Sequence, residues 1–136
     1  MKRGPIIVGA LVAVTALSAL AWQLSGPYPD PRDPYGMVFK FLGCKGEWPS
    51  NLPVGVIVKK EASPSPSFFI RDPVDCGLSV KQPTYAINGG KLSLSYTIYA
   101  QGDVAACYCE YDSRFTFTHL PASIKATSFV HHEELR

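Results

Sequence analysis

"KLSLSYTIYAQGDVAACYCEYDSRFTFTHLP", residues 91–121, alternates apolar and polar side chains over most of its length. Successive side chains of an extended strand point to opposite faces, so the alternation assigns each residue to a side. In the first half the even positions Leu92, Leu94, Tyr96 and Ile98 are apolar, and Ser93, Ser95 and Thr97 between them are polar. Past Gly102 the parity inverts. Cys107, Cys109, Tyr111, Phe115 and Phe117 stand at odd positions, and Glu110, Asp112, Arg114, Thr116 and Thr118 at even ones. A two-residue hairpin loop produces such an inversion, and Gly102-Asp103, with glycine first, suits a type II′ turn. The expected register sets Ile98 against Cys107, Tyr96 against Cys109 and Leu94 against Tyr111, with Ser93 and Ser95 across from the carboxylates of Asp112 and Glu110. A three-residue loop would slip the register by one and send one strand's apolar set to solvent.

The odd parity runs unbroken from Cys107 to Phe117, through Asp112-Ser113, where a turn would otherwise be expected. One continuous strand of that length exceeds the usual span of about 3–10 residues, so a bulge near Asp112-Ser113 is expected if the strand is continuous, the alternative being a second turn there. Outward from this region, "MVFKFLG" (37–43), "VGVIVKK" (54–60) and "SFFIR" (67–71) read as strands, with "EASPSPS" (61–67) as a break between the last two. "SFV" (128–130) reads as the last strand. After residue 25 no helical period and no internal repeat is found. The expected fold is all-β, a small antiparallel β-sandwich or barrel. An immunoglobulin-like topology is compatible with this pattern, but the cysteine and tryptophan order that marks true immunoglobulin domains is absent.

The chain divides into an N-terminal targeting segment, an arm, a domain and a tail. Lys2 and Arg3 precede the uncharged run "PIIVGALVAVTALSALAW", which ends in the small-x-small pattern Ala19-Leu20-Ala21. Residues 1–21 therefore read as a secretory signal peptide cleaved after Ala21. The rival is an uncleaved N-terminal anchor helix, since about 17 apolar residues just suffice to span a thin bilayer. Either way the chain beyond is expected outside the cytoplasm, in the periplasm or secreted, and touches membrane only through an uncleaved segment. The first cysteine, Cys44, is too far from this run to be a lipid attachment site. Residues 22–36 hold "SGPYPDPRDPYG" and read as a Pro-rich linker or arm. A disulfide-stabilised β-domain follows at 37–131, and 132–136 read as a polar tail.

Without Lys2 and Arg3 the chain carries 11 basic against 11 acidic residues. The sequence pI near 8.3 is thus a property of the targeting segment, and no basic stripe points to nucleic acid.

Four cysteines, Cys44, Cys76, Cys107 and Cys109, in an exported chain imply two disulfides. A Cys107–Cys109 bond is disfavoured, because i and i+2 of a strand lie roughly 6.7 Å apart with parallel side chains. Cys107 and Cys109 are therefore expected to bond separately to Cys44 and Cys76, in an order the sequence leaves open. The alternative, soft-metal binding through C-x-C, fits only in half, since zinc sites usually show two close cysteine pairs and Cys44 and Cys76 stand alone.

No G-x-S-x-G, H-E-x-x-H or phosphate-cradling glycine loop occurs, and no catalytic residues, metal ligands or cofactor are assigned. "HHEE" (131–134) reads as a frayed tail rather than a metal site. Ser113 and His119 carry no pattern that would make them nucleophile and base. Tyr99 and Tyr108 on the polar parity, with the charged row Glu110, Asp112 and Arg114, form the expected interaction face. The expected function is a non-enzymatic protein-interaction module, such as an inhibitor, an immunity-type protein or an envelope accessory protein, whose partner is another envelope or extracellular protein. The alternative is an extracytoplasmic metal or small-ligand carrier using the Cys107/Cys109 region.

Overall fold

The computed structural model describes residues 32–134. The signal or anchor segment and most of the Pro-rich arm lie outside the described residues. Strand accounts for 72% of the described chain and none of it is helical, so the all-β class holds. Among the described residues no helix is long and apolar enough to cross a membrane.

Five strands, β1 (Met37–Glu47), β2 (Ile57–Glu61), β3 (Ser67–Asn88), β4 (Lys91–Phe117) and β5 (Ala126–Glu134), form one sheet. Its centre is the antiparallel β3–β4 pair, registered from Asn88 opposite Lys91 to Ser67 opposite Thr116. The turn is Gly89-Gly90, whose φ values of 53° and 82° are those a two-residue type I′ hairpin requires. At Gly90 a Cβ would also lie 2.7 Å from the Ser123 carbonyl oxygen, so space as well as backbone demands glycine there. β2 adds antiparallel to the N-terminal half of β3. The other edge of β4 is divided: β5 runs parallel along Lys91–Tyr99, and β1 runs antiparallel along Cys109–Phe117.

The two halves of 91–117 are thus one strand, not the arms of a hairpin turning at Gly102-Asp103. Ile98 stands opposite Val80 and Glu133 rather than Cys107, and Ser93 and Ser95 pair with Ala86 and Thr84 rather than with the carboxylates. The inversion has another cause. Between Leu78–Ala100 and Asp75–Tyr108, the seven residues 101–107 of β4 stand opposite only Cys76 and Gly77 of β3. The excess is odd, and an odd excess flips facing as a two-residue loop does. Periodicity alone cannot separate the two, and β3 settles it by supplying one partner long enough for both halves.

The assignment of faces survives this correction. Leu92, Leu94, Tyr96 and Ile98 share one buried core with Cys109, Tyr111, Phe115 and Phe117, joined by Phe68, Ile70, Val74 and Leu78 of β3. For both halves to share it the sheet curls on itself. Phe129 of β5 lies 4.8 Å from the Tyr96 ring and 6.3 Å from Phe115, and Tyr85 meets Phe117 edge-on at 5.1 Å. Tyr111 donates its hydroxyl proton across the core to the Leu78 carbonyl. β4 itself runs through Asp112-Ser113 without the expected bulge, in unbroken register with Arg71 and Ile70; the extra residue lies in β1, which slips register between Phe41 and Gly43 opposite them.

β3 is the strand whose length the sequence conceals, because "SFFIR" extends to Asn88 through two prolines. Pro73 lies beyond the end of β2, so its missing N–H deprives no neighbour on that edge. Pro83 sits in the bulge between Lys81 and Thr84, beside Gln82 at φ 50°. β5 continues past His131 to Glu134, with His132 opposite Thr97 and Glu134 opposite Tyr99, so 131–134 is strand rather than frayed tail.

Two disulfides, Cys44–Cys109 and Cys76–Cys107, close the structure, with Cα separations of 5.7 and 5.5 Å. The first ties β1 to β4, and the second closes the base of the 101–107 excursion. They span 65 and 31 residues, and closing loops of that size removes unfolded-state entropy worth about 4 kcal/mol each. Replacing Cys44 and Cys109 by alanine is expected to lower the unfolding free energy by about 2–4 kcal/mol, and replacing Cys76 and Cys107 by somewhat less. Urea titration of each double variant checks this. A larger loss from the shorter loop would contradict the loop-closure account.

Candidate functional site

The charged row lies on the outer face of the second half of β4, where its members are engaged with one another and with neighbouring strands. Arg71 of β3 grips Glu110 with both arms, Nε to Oε1 at 2.9 Å and Nη2 to Oε2 at 2.5 Å. Arg114 grips Glu61 of β2 in the same way, at 2.7 and 2.9 Å, and Ser67 donates to the same Glu61 carboxylate at 2.8 Å. The bond from Arg71 holds the Glu110 carboxyl below its ordinary range, and Arg114 does the same for Glu61. Asp112 sits between the two pairs, 7% exposed, and its Oδ1 meets no hydrogen-bond partner among the described residues. Burial first, then the Glu110 charge, pushes its carboxyl up, while Arg71 and Lys45 pull it down. These residues form an ion-pair ladder binding β2, β3 and β4.

The two tyrosines stand apart. Tyr99 lies under the Lys81 ammonium at 4.7 Å and accepts from the Gln101 amide at 2.8 Å. Tyr108 is 51% exposed and lines two cavities at once. Ser113 is wholly buried, whereas His119 is exposed and stacks edge-on with Tyr35 at 5.5 Å, so the structure does not bring them together. With all four sulfurs in disulfides, none is available as a thiolate ligand.

The two cavities share Tyr108 and Val54 as a common ridge. One, of about 360 Å³, is walled by Trp48, Pro49, Leu52 and Cys107, with Glu47 at its border. Trp48 is fixed there: its backbone N–H donates to the Tyr108 carbonyl, its indole N–H donates to the Pro53 carbonyl, and the Arg71 guanidinium stacks on its ring at 5.7 Å. The other, of about 300 Å³, opens between residues 54–56, which lead into β2, and the end of β5. Leu78, Ile98 and Val56 supply its apolar wall, and Asp72, His131 and Glu133 its polar one.

That polar wall escaped the sequence reading. Asp72 has no exposed surface. Its Oδ2 accepts a hydrogen bond from the Tyr96 hydroxyl at 2.6 Å and lies 2.8 Å from His131 Nδ1. Burial dominates and pushes the Asp72 carboxyl up, with Tyr96 and His131 opposing it. Burial first, and then the Asp72 carboxylate, drive the Tyr96 phenol far up. Holding Nδ1 on Asp72 orients the ring, and His131 Nε2 lies 3.9 Å from Glu133 Oε1. A buried carboxylate orienting a partly exposed histidine in a cleft is a recognised mark of a functional site. Only the pairing of β3 with β4, and of β5 with β4, brings Asp72, Tyr96 and His131 together, and no local motif announces them.

A carboxyl whose pKa is raised by folding contributes stability below its unfolded value, and that contribution is lost as pH rises through the folded one. The Asp72→Asn amide keeps an acceptor for Tyr96 and carries no charge to bury. The stability of this variant relative to the parent is therefore expected to improve as pH climbs from about 4 towards 7. Urea unfolding over that range measures it, and a gap independent of pH would refute the assignment. Set against protein-family models, curated proteins and solved structures, the chain matches none of them.

Proposed function

We propose that the protein is an exported, non-enzymatic interaction module of the inhibitor, immunity or envelope-accessory kind, and that it meets its protein partner at the two-part groove astride Tyr108 and Val54. The observation that carries this reading is the exposure of Val54 (60%), Tyr108 (51%) and Val56 (39%) around two adjoining cavities. Exposed apolar and aromatic groups gathered at a concavity are what a partner's side chains bury best. Two intramolecular disulfides support an oxidising compartment, the periplasm or the cell exterior, with the apolar N-terminal run as signal or anchor. Among the described residues no serine, threonine or free thiol lines the cleft that holds His131, and Ser50 lines the other cavity, which supports binding over covalent catalysis.

One continuous hydrogen-bonded sheet, with the His131 cleft lying between the approach to β2 and the edge of β5, supports an open barrel rather than a two-sheet sandwich. The cleft would then be the barrel's seam. A second reading, a carrier of a small apolar ligand, draws on the Trp48 cavity, which the Cys76–Cys107 disulfide borders and whose volume reaches the lower end of ligand pockets.

A photo-crosslinking residue at Tyr108 in the exported protein is expected to trap one discrete protein adduct, whereas the same residue at Tyr99 traps none. Tyr108→Ala should weaken that partner's binding about tenfold without changing the thermal midpoint. Equal trapping at Tyr99, or none at Tyr108, would sink the proposal.

A further inference from the structure

The two halves of the groove differ in charge chemistry, and resting on the reading just given, that difference specifies what the partner presents. The Trp48 cavity is walled by Trp48, Pro49, Leu52 and Val54 with one carboxyl, Glu47, at its border, and a Lys or Arg lines neither cavity among the described residues. Arg71, which reaches the Trp48 ring, is already held by both oxygens of Glu110. The His131 cleft combines an apolar wall of Val56, Leu78 and Ile98 with the carboxyls of Asp72, Asp75 and Glu133. Asp75 and Glu133 are exposed at its border, and His131, with Nδ1 tied to Asp72, is the only nitrogen base in its lining. An anionic group entering the cleft would confront the exposed Asp75 and Glu133 carboxyls, with Asp72 buried behind them and no fixed cation to receive it. A lysine or arginine side chain suits both parts of it, because the methylene stem lies along apolar wall while the charged head meets the carboxylates. The Tyr108 ring on the ridge adds an aromatic face for the same cation.

We infer that the groove takes an extended segment of the partner carrying an apolar side chain and a lysine or arginine two residues apart, the apolar group in the Trp48 cavity and the cation in the His131 cleft. The spacing comes from strand geometry. Side chains on one face of an extended segment recur every second residue, roughly 6.7 Å apart, so i and i+2 is the shortest same-face pair that can reach both sides of the ridge formed by Tyr108 and Val54.

The test is a titration of the isotope-labelled exported protein with acetyl-Ala-Leu-Ser-Arg-Ala-amide, its reverse-order counterpart with Arg before Leu, and the versions with Glu in place of Arg. The Trp48 indole N–H reports on one cavity and the Gly55 amide on the other. At least one arginine peptide is expected to move both signals and to bind about tenfold tighter than its glutamate version. In a D75N/E133Q variant, which alters only exposed side chains, that preference should vanish while the Trp48 shift persists. Equal or tighter binding of the glutamate peptides, or a preference unchanged in the variant, overturns the inference. So does a failure of every peptide to move either signal. If the Tyr108 crosslink nevertheless forms, the interaction module stands and only the chemistry assigned to its partner falls.

Discussion

Everything in this molecule depends on the unequal pairing of β3 and β4 at the excursion 101–107. β3 keeps its even residues Phe68, Ile70, Val74 and Leu78 on the core side to either side of the excursion, so a β4 paired without an odd excess would send the apolar set of one of its halves to the outer face. The odd excess inverts the parity midway along β4 and keeps both apolar sets on the core face. With the curl of the sheet, the first half's Leu94, Tyr96 and Ile98 and the second half's Cys109, Tyr111 and Phe115 then share a single core. The Cys76–Cys107 disulfide stands at the base of the excursion, so the cross-link sits where ladder pairing is lost.

The other strands follow from that bend. β4 offers its free edge as two segments, and the chain fills them from opposite ends: β1 covers the later half and β5, the last strand, the earlier half. β5 runs parallel because the crossover 118–125 carries the chain back to the start of β4, with Lys125 donating to the Gly90 carbonyl at 2.8 Å beside the hairpin turn. Its far end then carries His131 to Asp72, and the seam between this strand and residues 54–56 becomes the cleft. The candidate site is thus a product of topology, assembled from β3, β4, β5 and one connecting segment.

This explains which parts were legible in the sequence. Which face each side chain takes is a local property, and alternation reported it correctly for Leu92 through Ile98 and for Cys109 through Phe117. What reverses the facing is not local. An odd bulge and a two-residue turn leave the same trace, and Gly102-Asp103 carries the turn signal although Asn88-Gly89-Gly90-Lys91 makes the hairpin. Pro73, Gly77 and Pro83 hid β3, because each is tolerated for a reason visible only in pairing: an uncovered edge, the excursion, a bulge. The partners of Cys107 and Cys109 could be narrowed by strand geometry, while their order required knowing that β1 lies beside Cys109. Asp72 and His131 are 59 residues apart, and neither belongs to a motif.

The two buried aspartates show how to tell a site from a scaffold. Burying a carboxyl costs free energy that a well-packed apolar side chain would spare, so each calls for a reason. Asp112 has one in its surroundings: it lies between ion pairs that join three strands, and Arg71 and Lys45 offset its charge. Asp72 has no cation of fixed charge among its recorded partners, only a phenol and an imidazole, and both are placed so that the imidazole is aimed along a cleft wall. Asp72 gives the buried Tyr96 hydroxyl its acceptor and ties β5 to β3 through His131, and the ring held in this way lines the cleft.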